Sequence, residues 1–285
     1  MRINHNINAM ITQSARNGNN QALGKSLEKL STGLRINRAS DDAAGLSVSE
    51  QLRTQVRGMG RAKANAQDGI ALLQIAEGAA NEMSAVLQRM RELSIQSAND
   101  TLTSTDRSYL DQEFTALVNE IDRISQSTQY NGQTLIAGGT SSFGGTGSAS
   151  SLLHIGANAQ AGVDNLTVTV DALTAGALSL TGGSATVSVS SQSAALSAIG
   201  TIDTAIQSVN NMRSDVGAYV NRLEHAINNL SNQEYNTQDA ESRIRDVDFA
   251  AQSTQFTKQQ ILSQSSTSML AQANSVPQGV LGLVG

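Results

Sequence analysis

Residues 199–230 read IGTIDTAIQSVNNMRSDVGAYVNRLEHAINNL, and the spacing within them decides the fold. Ile199, Ile206, Val220 and Ile227 recur at one position of a seven-residue repeat, with Arg213 as the polar interruption. Ile202, Val209, Val216, Leu223 and Leu230 occupy a second position. Two apolar positions per heptad predict a long helix packed along a seam against other helices.

The partner is upstream. From about Ala43 to Ala98, Met59, Ala62, Ala66, Leu73, Ala76, Ala80, Met83, Leu87 and Met90 alternate at spacings of three and four, with one gap at Gly69. At about 1.5 Å per residue this helix would be ~80 Å long. A rod of that length cannot bury its stripe alone. Before it, Ile3, Ile7, Met10, Leu23, Leu27, Leu30 and Leu34 predict one apolar helical stripe, with a polar stretch around Gly18. A turn at 37–42 breaks the two helices. It places Asp41 and Asp42 where carboxylates favour a helix start.

After Asn99-Asp100, Thr103-x-x-Asp106 predicts a capping box. A helix carrying Leu110, Phe114, Leu117, Ile121 and Ile124 follows, and Asn131-Gly132 signals a tight turn. Residues 137–151 are rich in Gly, Ser and Thr. Alternation at Leu152/His154, Leu166/Val168/Val170 and Val187/Val189 predicts short β-hairpins with flexible loops. A last helix, about 239–274, carries Phe249, Phe256, Leu262 and Met269. The tail VPQGVLGLVG is apolar. The fold class is therefore mainly α: an antiparallel helical rod or coiled-coil bundle from both chain ends, with a small β-hairpin region at its tip.

Composition narrows the function. The 285 residues carry 19 Lys+Arg against 24 Asp+Glu, a net charge of −5, which argues against a nucleic-acid binder. Charged residues are 15%, against about 25% in ordinary domains. Absence of Cys excludes disulfides, thiolate nucleophiles and Cys-ligated metals. The N-terminus lacks the apolar run of a secretory signal, and no stretch approaches a membrane span. Export, on this reading, needs a route that leaves the N-terminus uncleaved.

Seven segments carry a family resemblance: LEKLSTGLRINRASDDAAGLSVSEQLR (27–53), LQRMRELSIQSAND (87–100), QYNGQTLI (129–136), GANAQ (156–160), NRLEHAINNL (221–230), ESRIRDVDFA (241–250) and QILSQSSTSMLAQAN (260–274). In this order they resemble bacterial flagellin, over about 1–136 and 194–285, without the large outer domain that many flagellins carry. The resemblance implies a subunit that a chaperone delivers to the flagellar type III export apparatus. It polymerises under a filament cap and meets hook–filament junction proteins. It also implies terminal helices that fold on assembly.

The implied organisation is a terminal helical domain (1–42 with 245–285), a helical rod domain (43–136 with 194–244) and a short variable tip (137–193). The implied terminal assembly interface is Ile3, Ile7, Leu23, Leu27, Leu30, Leu34, Phe249, Phe256, Leu262, Met269 and Leu270. A second patch, Gln88, Arg89, Arg91, Glu92, Leu93 and Glu113, resembles one that packs against a neighbouring subunit. A host flagellin-sensing Toll-like receptor reads the same patch in such families, with Arg89, Leu93 and Glu113 matching its main contacts.

No catalytic or cofactor site is expected. His5, His154 and His225 lack metal-ligand spacing, and neither a P-loop nor a nucleophile elbow is present. Asp246-x-Asp248, beside Arg243 and Arg245, reads as a helix start or ion pair rather than a cation site. The alternative function classes are a hook–filament junction protein, a secreted helical adhesin and a cytosolic coiled-coil signalling protein.

Overall fold

The computed structural model describes residues 6–138, 150–160, 162–181 and 187–284. Within them the chain forms helices α1 (Ile7–Thr32), α2 (Ala43–Ser97), α3 (Ser104–Ser127), α4 (Gln192–Arg245) and α5 (Phe249–Val284). Strands β1 (Gln129–Tyr130), β2 (Gln133–Thr134), β3 (Ser150–His154) and β4 (Asn165–Thr169) lie between α3 and α4. The strands form two separate antiparallel pairs, β1 with β2 and β3 with β4. The chain divides into two compact units, 1–54 with 235–285 and 55–234.

In the unit 55–234 the α2 stripe is buried over its whole length, from Met59 through Met90. Gly69 is not a gap in it. It takes the seam position between Ala66 and Leu73, and Leu153 of β3 packs over it. Ala157, just past β3, packs on Gly58, and Asn65 Nδ2 donates to the His154 carbonyl at 3.1 Å. The hairpin therefore lies along a face of α2 that glycine keeps low.

One heptad position of α4 is as expected, with Ile202, Val209, Val216, Leu223 and Leu230 buried; the other is filled by Ala198, Ala205 and Met212 in place of Ile199, Ile206 and Arg213. The buried positions of α4 are Ala195, Ala198, Ile202, Ala205, Val209, Met212, Val216, Leu223 and Leu230. Ile199, Ile206, Val220 and Ile227 are half-buried flanks, and Arg213 shares that flank. The small side chains of Ala198 and Ala205 occupy the seam itself, and the β-branched residues beside them cover it.

The capping box forms: Thr103 Oγ1 accepts from Asp106 N at 3.2 Å, and Asp106 Oδ2 accepts from Thr103 N at 3.0 Å. The Thr103 hydroxyl, with the Thr103 backbone amide, holds the Asp106 carboxyl below its ordinary range. On α3, Phe114, Val118 and Ile121 join the core. Asn131 and Gly132 both have positive φ, 50° and 77°, as a type I′ two-residue turn requires.

The hairpin expectation fails at Val187 and Val189, which lie outside any strand. The 172–181 segment is not a flexible loop either. It folds into turns that insert Leu173, Ala175, Leu178 and Leu180 into the core, with Val189 beside them. Two carboxylates on α3 fasten this insert: Asp122 Oδ1 accepts from Ala175 N, and Asp111 Oδ1 from Val189 N, each at 2.7 Å. Most of the Gly/Ser/Thr-rich run (139–149) and Thr186 lie outside the described residues.

In the other unit, α1 ends at Gly33 (φ 73°), whose amide donates to the Lys29 carbonyl. Asp41 Oδ2 accepts the Asn37 and Arg38 amides, and Asp42 Oδ1 accepts the Gly45 amide at 2.8 Å, starting α2. Asp41 lies below its ordinary range, chiefly through the Arg38 amide. The final helix begins at Phe249 rather than near 239, because α4 runs on to Arg245. The break is fastened to the turn after α1: Leu34 bridges Asp246, Val247 N donates to the Gly33 carbonyl, and Arg35 N donates to that of Arg245. Asp248 then caps α5, accepting from Ala250 N and Ala251 N at 2.9 and 3.1 Å.

Candidate functional site

The patch on α2 splits into two faces. Arg89 donates through Nε and Nη2 to Glu113 Oε1 of α3, at 3.0 and 2.8 Å, and through Nη1 to Glu92 Oε2 at 3.2 Å. These two carboxylates, Glu113 first, hold its guanidinium above its ordinary range. Arg91 is two residues on, rotated by about 200° around the helix. Its Nε donates to Asp203 Oδ1 of α4 at 2.7 Å, and that carboxylate raises it in the same way. Arg89 therefore ties α2 to α3, and Arg91 ties α2 to α4.

Leu93 corrects the expectation. It is 1% exposed and offers no side-chain surface. It sits one turn below Arg89, on the edge of the helix that the chain itself covers. The exposed members of the patch are Gln88, Arg89, Glu92 and Glu113.

The terminal residues also divide. α1 and α5 run antiparallel, with facing Cα atoms within 8 Å. Along α1, Ala9, Thr12, Arg16, Asn19, Leu23, Ser26 and Leu30 are half-buried or buried at spacings of three and four, with Ala22, Glu28 and Lys29 half-buried beside them. Along α5 as far as residue 275, the half-buried positions are Gln252, Phe256, Gln259, Ser263, Ser266, Leu270 and Ala273. The seam has a helical period but is largely polar and small. Asn6 Nδ2 donates to the Ala273 carbonyl at 2.8 Å and Asn19 Nδ2 to Ser266 Oγ at 2.9 Å. Ser263 Oγ donates to Asn20 Oδ1 at 2.8 Å. Gln259 Oε1 is buried there without a partner.

The expected single apolar stripe on α1 is therefore absent. Leu23 and Leu30 enter the seam, whereas Ile7 is 54% and Leu27 57% exposed. On α5, Phe256 and Leu270 enter it, while Phe249 and Met269 are 57% and 60% exposed and Leu262 also faces out. Leu34 is half-buried in the turn after α1. Ile3 and His5 lie outside the described residues. Met10, Ile11 and Ile261 join the exposed apolar set. Of the seam residues, the sequence marks only Leu23, Leu30, Phe256 and Leu270, because an apolar period does not register Asn, Ser and Gln.

His154 Nδ1 lies 2.6 Å from Asn165 Oδ1, a polar pair on the hairpin. Among the described residues no three His, Cys, Asp or Glu side chains converge to hold a metal, and no helix is long and apolar enough to cross a membrane.

Two family models match the chain: the bacterial flagellin N-terminal helical region over residues 3–141, and the bacterial flagellin C-terminal helical region over 199–284. Among curated proteins, the flagellar filament 33 kDa core protein of Treponema phagedenis is 49% identical over 160 residues, 55% of this chain and 56% of that protein. Flagellin of Bacillus subtilis (strain 168) is 52% identical over 140 residues, 48% of this chain and 46% of that protein. The chain thus spans about half the length of the curated relatives it matches. A solved structure described as a flagellar hook-associated protein of Vibrio parahaemolyticus superposes with a TM-score of 0.59 at 17% identity. It covers 72% of this chain and 100% of that one, a likeness of fold alone.

Proposed function

Because the chain belongs to the bacterial flagellin family, we propose that it is a non-enzymatic structural subunit that self-assembles into the helical flagellar filament for swimming motility. The observation that carries this reading is the α1/α5 pair. Its internal seam is largely polar, and the large apolar side chains of Ile7, Met10, Ile11, Leu27, Phe249, Ile261 and Met269 face outward. A lone copy leaves these side chains in water; further copies of the chain can bury them. A head-to-tail contact that does not close builds a helical polymer.

In this reading the terminal domain (1–42 with 245–285) makes the filament core, and 43–136 with 194–244 forms a helical rod domain. The partners are other copies, the export chaperone, the filament cap and the hook–filament junction proteins. The protein works outside the cell. The patch of Gln88, Arg89, Glu92 and Glu113 is both a subunit contact and the surface offered to a Toll-like receptor. Leu93 supports it from beneath. A hook–filament junction role is not favoured, because relatives near 50% identity carry flagellin or filament names.

Electron microscopy of the seeded protein tests the reading. Long hollow tubes are expected from the full chain and none from chains lacking 1–38 or 250–285. Tubes from either truncated chain would overturn the assignment of the ends.

A further inference from the structure

We propose that Asn131 is a site of spontaneous intramolecular deamidation, kept reactive in the folded protein by the hairpin turn that holds it. The observations are local to β1–β2. The register pairs Gln129 with Thr134 and Tyr130 with Gln133, so Asn131 and Gly132 form the loop and stand outside the ladder. Both residues are exposed. The position of a β-carbon on Gly132 has no atom within 4 Å. The Asn131 side chain makes no hydrogen bond among the described residues and is free to turn toward the chain. Asn and Gly stand here because both loop positions need positive φ. The residue types that build the turn are thus also those with the least obstructed reaction path.

The chemistry needs only water. The Gly132 backbone nitrogen attacks Cγ of Asn131 and forms a new C–N bond that closes a five-membered succinimide. The Cγ–Nδ2 bond breaks. The side-chain nitrogen leaves as ammonia and takes up the proton that the Gly132 nitrogen gives up. Water then adds to one of the two imide carbonyls. One opening yields aspartate. The other yields isoaspartate, in which the main chain runs through Cγ and is one methylene longer. Either product carries a new negative charge.

The chain holds the same dipeptide a second time, at Asn17-Gly18 inside α1. There the helix ladder directs the Gly18 amide at the Ser14 carbonyl, and the nitrogen reaches Cγ only if that turn of helix opens. The fold thus gives one dipeptide two environments.

The consequence of conversion is structural. A two-residue turn with an added main-chain atom cannot keep the Tyr130–Gln133 register. The residues that follow, Leu135 and Ile136, are fully buried in the core.

The purified full-length protein is incubated at mildly alkaline pH, natively and in urea. Peptide mapping by mass spectrometry and enzymatic isoaspartate labelling follow both sites. In urea, where both pairs are unfolded, Asn17 and Asn131 convert alike and supply the intrinsic rate. Natively, Asn131 is expected to convert within about tenfold of its urea rate, equivalent to less than ~1.4 kcal/mol of added barrier. A slower native rate overturns the proposal. The Asn131→Gly variant retains a residue suited to the type I′ turn and lacks the amide. Its melting temperature is expected to stay constant on ageing while that of the parent falls. An equal fall in both would show that the ageing lies elsewhere and would overturn the assigned consequence.

Discussion

Leu153 Cδ1 lies 2.7 Å from the point that a β-carbon on Gly69 would occupy, so the hairpin reaches into the α2 seam through a missing side chain. Gly69→Ala removes that room. The Leu153 side chain must shift to make room, which offsets the roughly 1 kcal/mol that alanine gains in helix propensity. Gly78, in the same helix, has open space around it, and Gly78→Ala should stabilise by about 0.5–1 kcal/mol. Thermal melts should show a clearly larger gain for Gly78→Ala than for Gly69→Ala. Equal gains would show that Leu153 does not depend on the missing side chain.

Two aliphatic positions of α4 that look equivalent in the heptad are buried to different degrees. Leu223 is fully buried, and Leu223→Ala should cost about 2–5 kcal/mol. Ile206 is a half-buried flank, and Ile206→Ala should cost clearly less. Urea titration with matched slopes checks the order, and equal losses would return Ile206 to the seam.

The insert after β4 is core rather than linker. Leu180 is fully buried, so Leu180→Ala should cost about 2–5 kcal/mol. A short tag placed after Gly176 should destabilise the unit, because it separates Ala175 from Leu178 within the packed turns. Circular dichroism melts of the tagged chain measure this; an unchanged midpoint would return the segment to the status of a free loop.

Glu50 accepts from Arg245 at 2.9 Å and from Arg53 at 2.7 Å. Arg245, through its hydrogen bond, holds the Glu50 carboxyl below its ordinary value of 4.5. A carboxylate lowered on folding adds stability that is complete above the unfolded value and is lost as pH falls through the folded one. Both groups lie in the unit of 1–54 with 235–285. This unit should weaken below about pH 4.5, and Glu50→Gln should flatten that acid limb. Melts from pH 6 to 3 at low salt read the effect, which added salt should shrink. Parallel acid limbs in parent and variant would rule the pair out as a contributor.

Arg89 and Glu113 are exposed, and pairs of this kind add little to stability. Arg89→Ala should leave the monomer melting temperature nearly unchanged while slowing seeded polymerisation and weakening receptor activation by monomer. A light-scattering assay beside a reporter-cell assay separates the two readouts. If neither changes, the patch has no interface role.

The parts legible in the sequence depend on residues close to one another along the chain. The α2 stripe from Met59 to Met90, the box at Thr103 and Asp106 and the turn at Asn131-Gly132 are local or periodic signals. One position of the α4 seam differs by one residue from the sequence pattern because Ala198 and Ala205 carry little hydrophobic signal, whereas Ile199 and Ile206 beside them carry much. Leu173, Leu178 and Leu180 follow no period, so nothing in the sequence marks the insert as core. In the candidate site, Arg89 and Glu113 are marked only by the family resemblance, and their pairing across α2 and α3 is visible only in the structure. The burial of Leu93 is not legible either, because i, i+4 spacing fixes a helix side but not where the neighbouring chain covers it.

The polar seam between α1 and α5 is selective about alignment. Contacts such as Asn19 with Ser266 and Asn20 with Ser263 are directional, and a shift of one residue breaks them. Apolar contacts are not directional and tolerate many alignments. The directional side chains between α1 and α5 therefore fix the register of the pair, whereas the apolar ones on its outer side are left for contacts that need no exact alignment.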